Sequence, residues 1–336
     1  MSSLSMIANL AHWLSPAQLS FKDTPEDPEK IKQHIHDVLK NFMDKCQVSF
    51  KAPEYDVELH NACWAEVARR GSLLESDKSK RSLRRFIPMG VIIASASYRH
   101  LPHQSTKVFI ALYTALLIYV DDIFQYNIED IKRFNERFVR REPQGDALLD
   151  FLAQLFMEFE EHFDPFASKI MLTASMDFMT AQILEYTMEE MQLSNNASQF
   201  ATYARNLSGV SAFYGLAVFP RELPVQDYIQ ALPEVIMYCN HVNDIFSFYK
   251  EEIAGEQVNH ISNMAKLGRI PKTEALQRLA EETSDACLRS WEILDDRPEA
   301  YNALKAFNQG YVEFHACCSR YKLDELFDYT VPPITV

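Results

Sequence analysis

The chain has 336 residues, long for a single domain, yet no shift in composition marks a seam between two. With only 8 glycines and 47% hydrophobic residues, it excludes a fold built on many tight turns and indicates helices around a sizeable core. A formal net charge of -14 argues against nucleic acid and anionic lipid as partners, so an anionic substrate would need local cations, either bound metal or a few Arg and Lys in one cleft.

The start, MSSLSMIANLAHWL, has no basic residue ahead of its apolar part, and residues 14–29 hold three prolines and several acids. An irregular segment is therefore expected before a first firm helix near Lys30. Phe86 to Tyr98 and Ser105 to Gln125 are both strongly apolar and read as inner helices. The longest apolar run, Val108 to Val120, falls well short of the ~20 residues a membrane span needs, so no stable membrane insertion is expected. RREPQGD at 140–146 breaks the next pattern, and DPFASK at 164–169 opens a helix running to about Leu193. FPRELP at 219–224 separates a helix at 199–218 from one at 225–252, and the polar stretch Gly255 to Asn263 follows directly. Pro298 marks the turn before a last long helix, Glu299 to Tyr321, and the terminal VPPITV reads as a frayed tail. The six cysteines, Cys46, Cys63, Cys239, Cys287, Cys317 and Cys318, contain no CxxC pair, which suits a reducing, cytoplasmic setting.

Two acidic constellations stand out. The apolar run from Ala111 ends in Asp121-Asp122, where adjacent carboxylates repel unless solvent or cations intervene. A solvated helix terminus and a cation site both explain that pair. In Asn243-Asp-Ile-Phe-Ser247-Phe-Tyr-Lys250-Glu251, positions 243, 247 and 251 fall within roughly 80° on a helix, with Lys250 beside them. Amide, hydroxyl and carboxylate oxygens are the hard donors that magnesium prefers, and three leave coordination positions for phosphate and water. The polar face of an amphipathic helix is the plainer reading, weakened by the large apolar neighbours Ile245, Phe246, Phe248 and Tyr249.

These residues carry a resemblance. The string from Asn243 to Glu251 resembles the NSE metal motif of class I terpene synthases, and Asp121-Asp122 resembles their aspartate-rich motif. Arg205-Asn-Leu-Ser208-Gly209 is similar to the diphosphate sensor with its linker and effector, and Arg320-Tyr321 to the RY pair that grips diphosphate. The wording of Ser247-Phe-Tyr-Lys-Glu251 and of the segment from Gly310 to Tyr321 most resembles the trichodiene synthase-like branch from fungi, and the match spans the stretch from about Asp121 to Tyr321. Singly, an arginine such as Arg205 or Arg320 is more often solvated or paired with an acid.

The resemblance implies an all-α fold, a single class I terpenoid synthase helical bundle around a central active-site cavity, irregular only at residues 1–29 and 330–336. It implies a sesquiterpene synthase that ionises and cyclises farnesyl diphosphate with three Mg²⁺ ions. Asp121 would bridge two of them, and Asn243, Ser247 and Glu251 would hold the third. Arg205, Lys250, Arg320 and Tyr321 would grip the isoprenoid diphosphate. Leu117, Cys239 and Phe314 lie at helical spacing from the metal motifs and would line the pocket with Ser208 and Gly209, and with Phe213 and Tyr214 after the break at Ser208-Gly209. Residues 252–263 would close as a lid. A homodimer is compatible with all of this.

The chain departs from the family pattern twice. Gln125 stands where the aspartate-rich motif usually has an acid, and Phe314 where many relatives carry tryptophan. A chain-elongating prenyl diphosphate synthase shares the chemistry but carries two aspartate-rich motifs, and no DxDD string of a protonation-initiated cyclase occurs. A catalytically inert helical scaffold is the rival from another class.

Overall fold

The structure, a computed structural model, describes residues 28–51, 53–71, 82–123, 128–188, 191–194, 196–256 and 259–331. Among these residues the regular structure is helical throughout. In chain order the α-helices are α1 (Pro28–Lys45), α2 (Val57–Arg70), α3 (Ile87–Ser97), α4 (Gln104–Ile123), α5 (Ile128–Arg140), α6 (Ala147–Met157) and the short α7 (Phe159–His162). They continue with α8 (Pro165–Met188), α9 (Phe200–Ser208), α10 (Ser211–Leu216), α11 (Leu232–Ala254), α12 (His260–Gly268), α13 (Lys272–Ile293) and α14 (Pro298–Cys317).

Sequence decides which helices lie inside. In α3 (IPMGVIIASAS) apolar side chains point in every direction, so the helix buries most of its surface between α4 and α14. Two glycines permit that depth: a Cβ at Gly90 would strike the Ala111 carbonyl of α4, and one at Gly310 of α14 the Ala96 carbonyl of α3. Helix α5, by contrast, keeps Ile131 and Phe134 against α8 and turns its charges outward.

A cavity of about 270 Å³ lies among α3, α4, α8, α9, α10, α11 and α14. Thr114, Leu117 and Asp121 step along it in chain order on α4, Phe178, Gln182 and Glu185 on α8, and Cys239 and Asn243 on α11. The series end on Asp121, Glu185 and Asn243, so α4, α8 and α11 run from the largely apolar floor toward one polar mouth. Phe314, near the end of α14, and the following turn with Arg320 and Tyr321 complete the wall.

Several boundaries differ from the expectations drawn from sequence. The segment 199–218 is two helices, because Gly209 and Val210 interrupt it and Val210 adopts a left-handed backbone (φ 50°). Leu193 lies beyond α8, which ends at Met188 before residues outside the described set. Helix α11 starts at Leu232, after two 3₁₀ turns at residues 225–227 and 229–231. The polar stretch 255–263 is not one loop: Asn259 caps α12 by accepting from the Ser262 amide, and His260, Ile261, Ser262 and Asn263 are buried. Glu252 still belongs to α11, and residues 257 and 258 of the expected lid lie outside the described residues. The last helix stops at Cys317, leaving Arg320 and Tyr321 in a 3₁₀ turn. Residues 1–27 and 332–336 of the expected irregular ends, and Gln125, lie outside the described residues, whereas Glu29 belongs to α1. No helix among the described residues is long and apolar enough to cross a membrane.

Candidate active site

The two acidic constellations meet at this cavity, whose wall includes both Asp121 of α4 and Asn243 of α11. Water reaches Asp121 through the mouth, yet surrounding protein raises its carboxyl pKa; Arg320 opposes that rise, Asp122 adds to it, and Lys250 opposes it. Asp122 turns to Arg85, 3.3 Å away. Glu251 is likewise raised by burial, against the pull of Lys250, whose ammonium lies 3.3 Å from its carboxylate, and a hydrogen bond from Ser247. Ser247, Lys250 and Glu251 follow Asn243 by one and two turns and do not line the cavity itself.

Asn243 is oriented from behind. Its Nδ2 donates to Tyr321 Oη and to His315 Nε2, both at 3.4 Å. The His315 tautomer follows, since Nδ1 donates to the Tyr311 carbonyl at 2.7 Å and Nε2 is left as the acceptor. Burial holds that ring neutral, with its pKa lowered to about 3. The Asn243 oxygen is thereby turned toward Arg205, whose Nη2 lies 3.5 Å away.

Arg205 is fixed from two sides. Its Nε donates to both Asp244 oxygens (2.7 and 2.9 Å), and its Nη2 donates to the Asn240 carbonyl at 2.9 Å. Burial opposes the charge, but Asp244 outweighs it and keeps the guanidinium protonated. Nη1 has no acceptor among the described residues and is the atom left for an incoming anion. Lys250 and Arg320 flank the Tyr321 ring, at 5.9 and 5.7 Å from its centre.

Below this charged rim the wall becomes apolar and aromatic. Leu117, Cys239, Phe314, Tyr214, Ser208 and Gly209 all line the cavity. Tyr214 is pinned by Thr114, 3.0 Å from its hydroxyl, and by Tyr98, which donates to its carbonyl at 2.8 Å. Phe314 sits edge-on to Tyr321 with ring centres 6.0 Å apart. Phe213 departs from the expectation: fully buried, it stacks on Tyr113 at 3.9 Å between Phe159 and Phe163, because α10 turns it into the core.

Sequence reasoning overlooked three residues here. Asp244 stands inside the quoted motif yet holds Arg205, and His315 backs Asn243. Glu185 lines the cavity from α8, its pKa raised to about 7 by burial and by Asp121 and restrained by Arg205. Among the described residues no three His, Cys, Asp or Glu side chains gather closely enough to hold a metal ion. The donor set is instead split across two helices and includes an amide and a hydroxyl. A wider groove of about 730 Å³ between α2, α4 and α6 offers less chemistry, since Glu66 and Glu158 neutralise its Arg69 and Arg70.

Known proteins resemble this chain in sequence and in fold. The family model described as Trichodiene synthase (TRI5) matches residues 97–331. Alpha-cuprenene synthase COP6 of Coprinopsis cinerea is 35% identical over 312 residues, spanning 93% of this chain and 94% of that protein. Terpene synthase BipA of Cochliobolus sativus is 35% identical over 263 residues, 76% of this chain and 78% of that one. The linalool/nerolidol synthase of Streptomyces clavuligerus superposes with a TM-score of 0.58 at 13% identity, covering 80% of this chain and 99% of that one, a likeness of fold. Over most of its length, the chain belongs to the trichodiene synthase-like family of fungal terpene synthases and is a terpene cyclase.

Proposed function

We propose that the enzyme is a magnesium-dependent sesquiterpene synthase that converts farnesyl diphosphate into a cyclic hydrocarbon or alcohol and releases diphosphate. The observation that carries this reading is one cavity with Asp121, Asn243, Arg205 and Arg320 at its rim and an apolar, aromatic floor beneath them. Magnesium suits the donors present, all of them oxygen: Asp121 on one side, Asn243, Ser247 and Glu251 on the other, with coordination to be completed by phosphate and water. When bound, it supplies Lewis-acid neutralisation of the leaving phosphate oxygens.

The chain's own residues divide the remaining work. Arg205 through Nη1, with Lys250, Arg320 and Tyr321, binds and orients the diphosphate, and fixed cations act most strongly where water is excluded. The cleaved C–O bond leaves its electron pair on the diphosphate and an allyl cation in the cavity. Leu117, Phe314 and Tyr214 then enclose that cation with apolar surface and ring faces, which stabilise charge without offering a nucleophile. The fifteen-carbon substrate rests on the fungal resemblance. Six buried free thiols support a reducing, cytoplasmic setting.

Incubating the purified protein with Mg²⁺ and, in parallel, geranyl, farnesyl and geranylgeranyl diphosphates tests the reading by diphosphate release and analysis of volatiles. Cyclic fifteen-carbon products from farnesyl diphosphate are expected. Elongated diphosphates, or no turnover of any of the three, would overturn it.

A further inference from the structure

Helix α8 contributes an amide to the cavity wall below the mouth. Gln182 shares the cavity face of α8 with Phe178 and Glu185, about one turn deeper than the latter. The residue is only 1% exposed, and its Oε1 is buried without a hydrogen-bond partner among the described residues. Other polar groups of this wall are engaged: Thr114 with the Tyr214 hydroxyl, the Tyr311 hydroxyl with the Cys239 carbonyl at 3.2 Å, and Ser208 with the Arg205 carbonyl at 3.5 Å. Burying an acceptor with nothing to bond costs stability, so an amide left in that state on a cavity wall calls for an occupant that satisfies it.

We infer that Gln182 is a specificity-determining residue of the cyclisation: its amide oxygen draws the positive charge of the ionised chain toward α8 and so selects among the cations that ring closure can form. An apolar chain entering the cavity displaces water. In the low dielectric left behind, a carbonyl dipole fixed by the helix acts strongly on a nearby positive charge. The step moves no proton and forms no bond to the protein. It follows the breaking of the C–O bond, so product choice depends on Gln182 and the rate of ionisation does not. The inference rests on the diphosphate-ionising reading of the site.

Two variants of equal side-chain length test it, Gln182→Met and Gln182→Glu, with farnesyl diphosphate and saturating Mg²⁺. Methionine removes the oxygen and keeps the volume. The share of the major product by gas chromatography should then fall about threefold or more, while diphosphate release stays within about threefold of wild type. Glutamate keeps an acceptor oxygen at the same place and should retain the wild-type major product, a rescue that packing alone does not give. The Tm of Gln182→Met should equal or exceed that of wild type, because no hydrogen bond within the protein is lost. An unchanged profile in Gln182→Met, a glutamate variant shifted as far as the methionine one, or a Tm lowered by more than about 5 °C overturns the inference. Oxygen from isotopically labelled water found in the wild-type product and lost in Gln182→Met also overturns it, since the amide would then hold a water. Wild-type protein that releases no diphosphate defeats instead the underlying reading, and the inference with it.

Discussion

Asn243 and Glu251 offer the simplest test of the proposed metal site at the residue scale, because they lie two turns apart on α11. Alanine at either position should lower kcat for diphosphate release roughly 10²-fold, and normal rates at ordinary Mg²⁺ would remove that residue from the ligand set. Asp121→Ala should act likewise, with Gln125→Ala milder; a reversed ranking in steady-state kinetics contradicts the assignment. Phe314→Leu keeps the wall apolar but deletes the ring beside Tyr321, so the product profile by gas chromatography should change while the ionisation rate stays within about threefold. His315 makes a pH prediction. Its folded pKa of about 3 lies below the unfolded 6.5, so between those values only the unfolded chain takes up the proton and stability falls as pH falls. In urea titrations from pH 6.5 to pH 4, wild type should lose about 3 kcal/mol more than His315→Gln, and equal losses refute a buried neutral ring. At this scale the sequence displayed its motif residues because their donor types and spacing are themselves the signal. Glu185 escaped notice because a lone acid inside a long helix carries no spacing signal, and only the packing of α8 against the cavity gives it a role.

The helices were legible where apolar periodicity is strong, as in α3 and α4, and obscure where tertiary contacts decide. The break at Ser208-Gly209 was legible, but the left-handed turn at Val210 and the Asn240 side chain packed into it, far away in sequence, were not. The stretch 260–263 looked like a loop because His, Ser and Asn are polar, yet the Asn259 cap and burial against α9 and α13 make it helix. The close crossing of α3 and α14 yields a prediction for elements. Gly310→Ala places a methyl group on the Ala96 backbone, which should cost about 1–3 kcal/mol in chemical denaturation; an unchanged midpoint would show that the helices can separate freely.

For the molecule as a whole, composition and the scarcity of glycine already indicated a helical bundle, whereas the order of helices around the cavity depends on contacts between distant segments. Ligand linkage supplies the matching test. At a hundredfold excess over Kd, Mg²⁺ together with diphosphate should stabilise the fold by about 2.7 kcal/mol, measured as a rise in Tm, and an inert scaffold should show none. The way α4, α8 and α14 end beside the cavity has an electrical consequence. Helices α4, α8 and α14 end within two turns of the cavity wall, whereas α11 runs on past Asn243 to Ala254, so with about half a negative charge per terminus the backbone sets roughly one and a half negative charges near the mouth before any side chain is counted. Asp244 and Glu251 already neutralise Arg205 and Lys250. On the magnesium-dependent reading proposed above, Arg320 is then the main side-chain cation left to greet a bare polyanion, and divalent cations would be needed to reverse the sign of the field at the entrance.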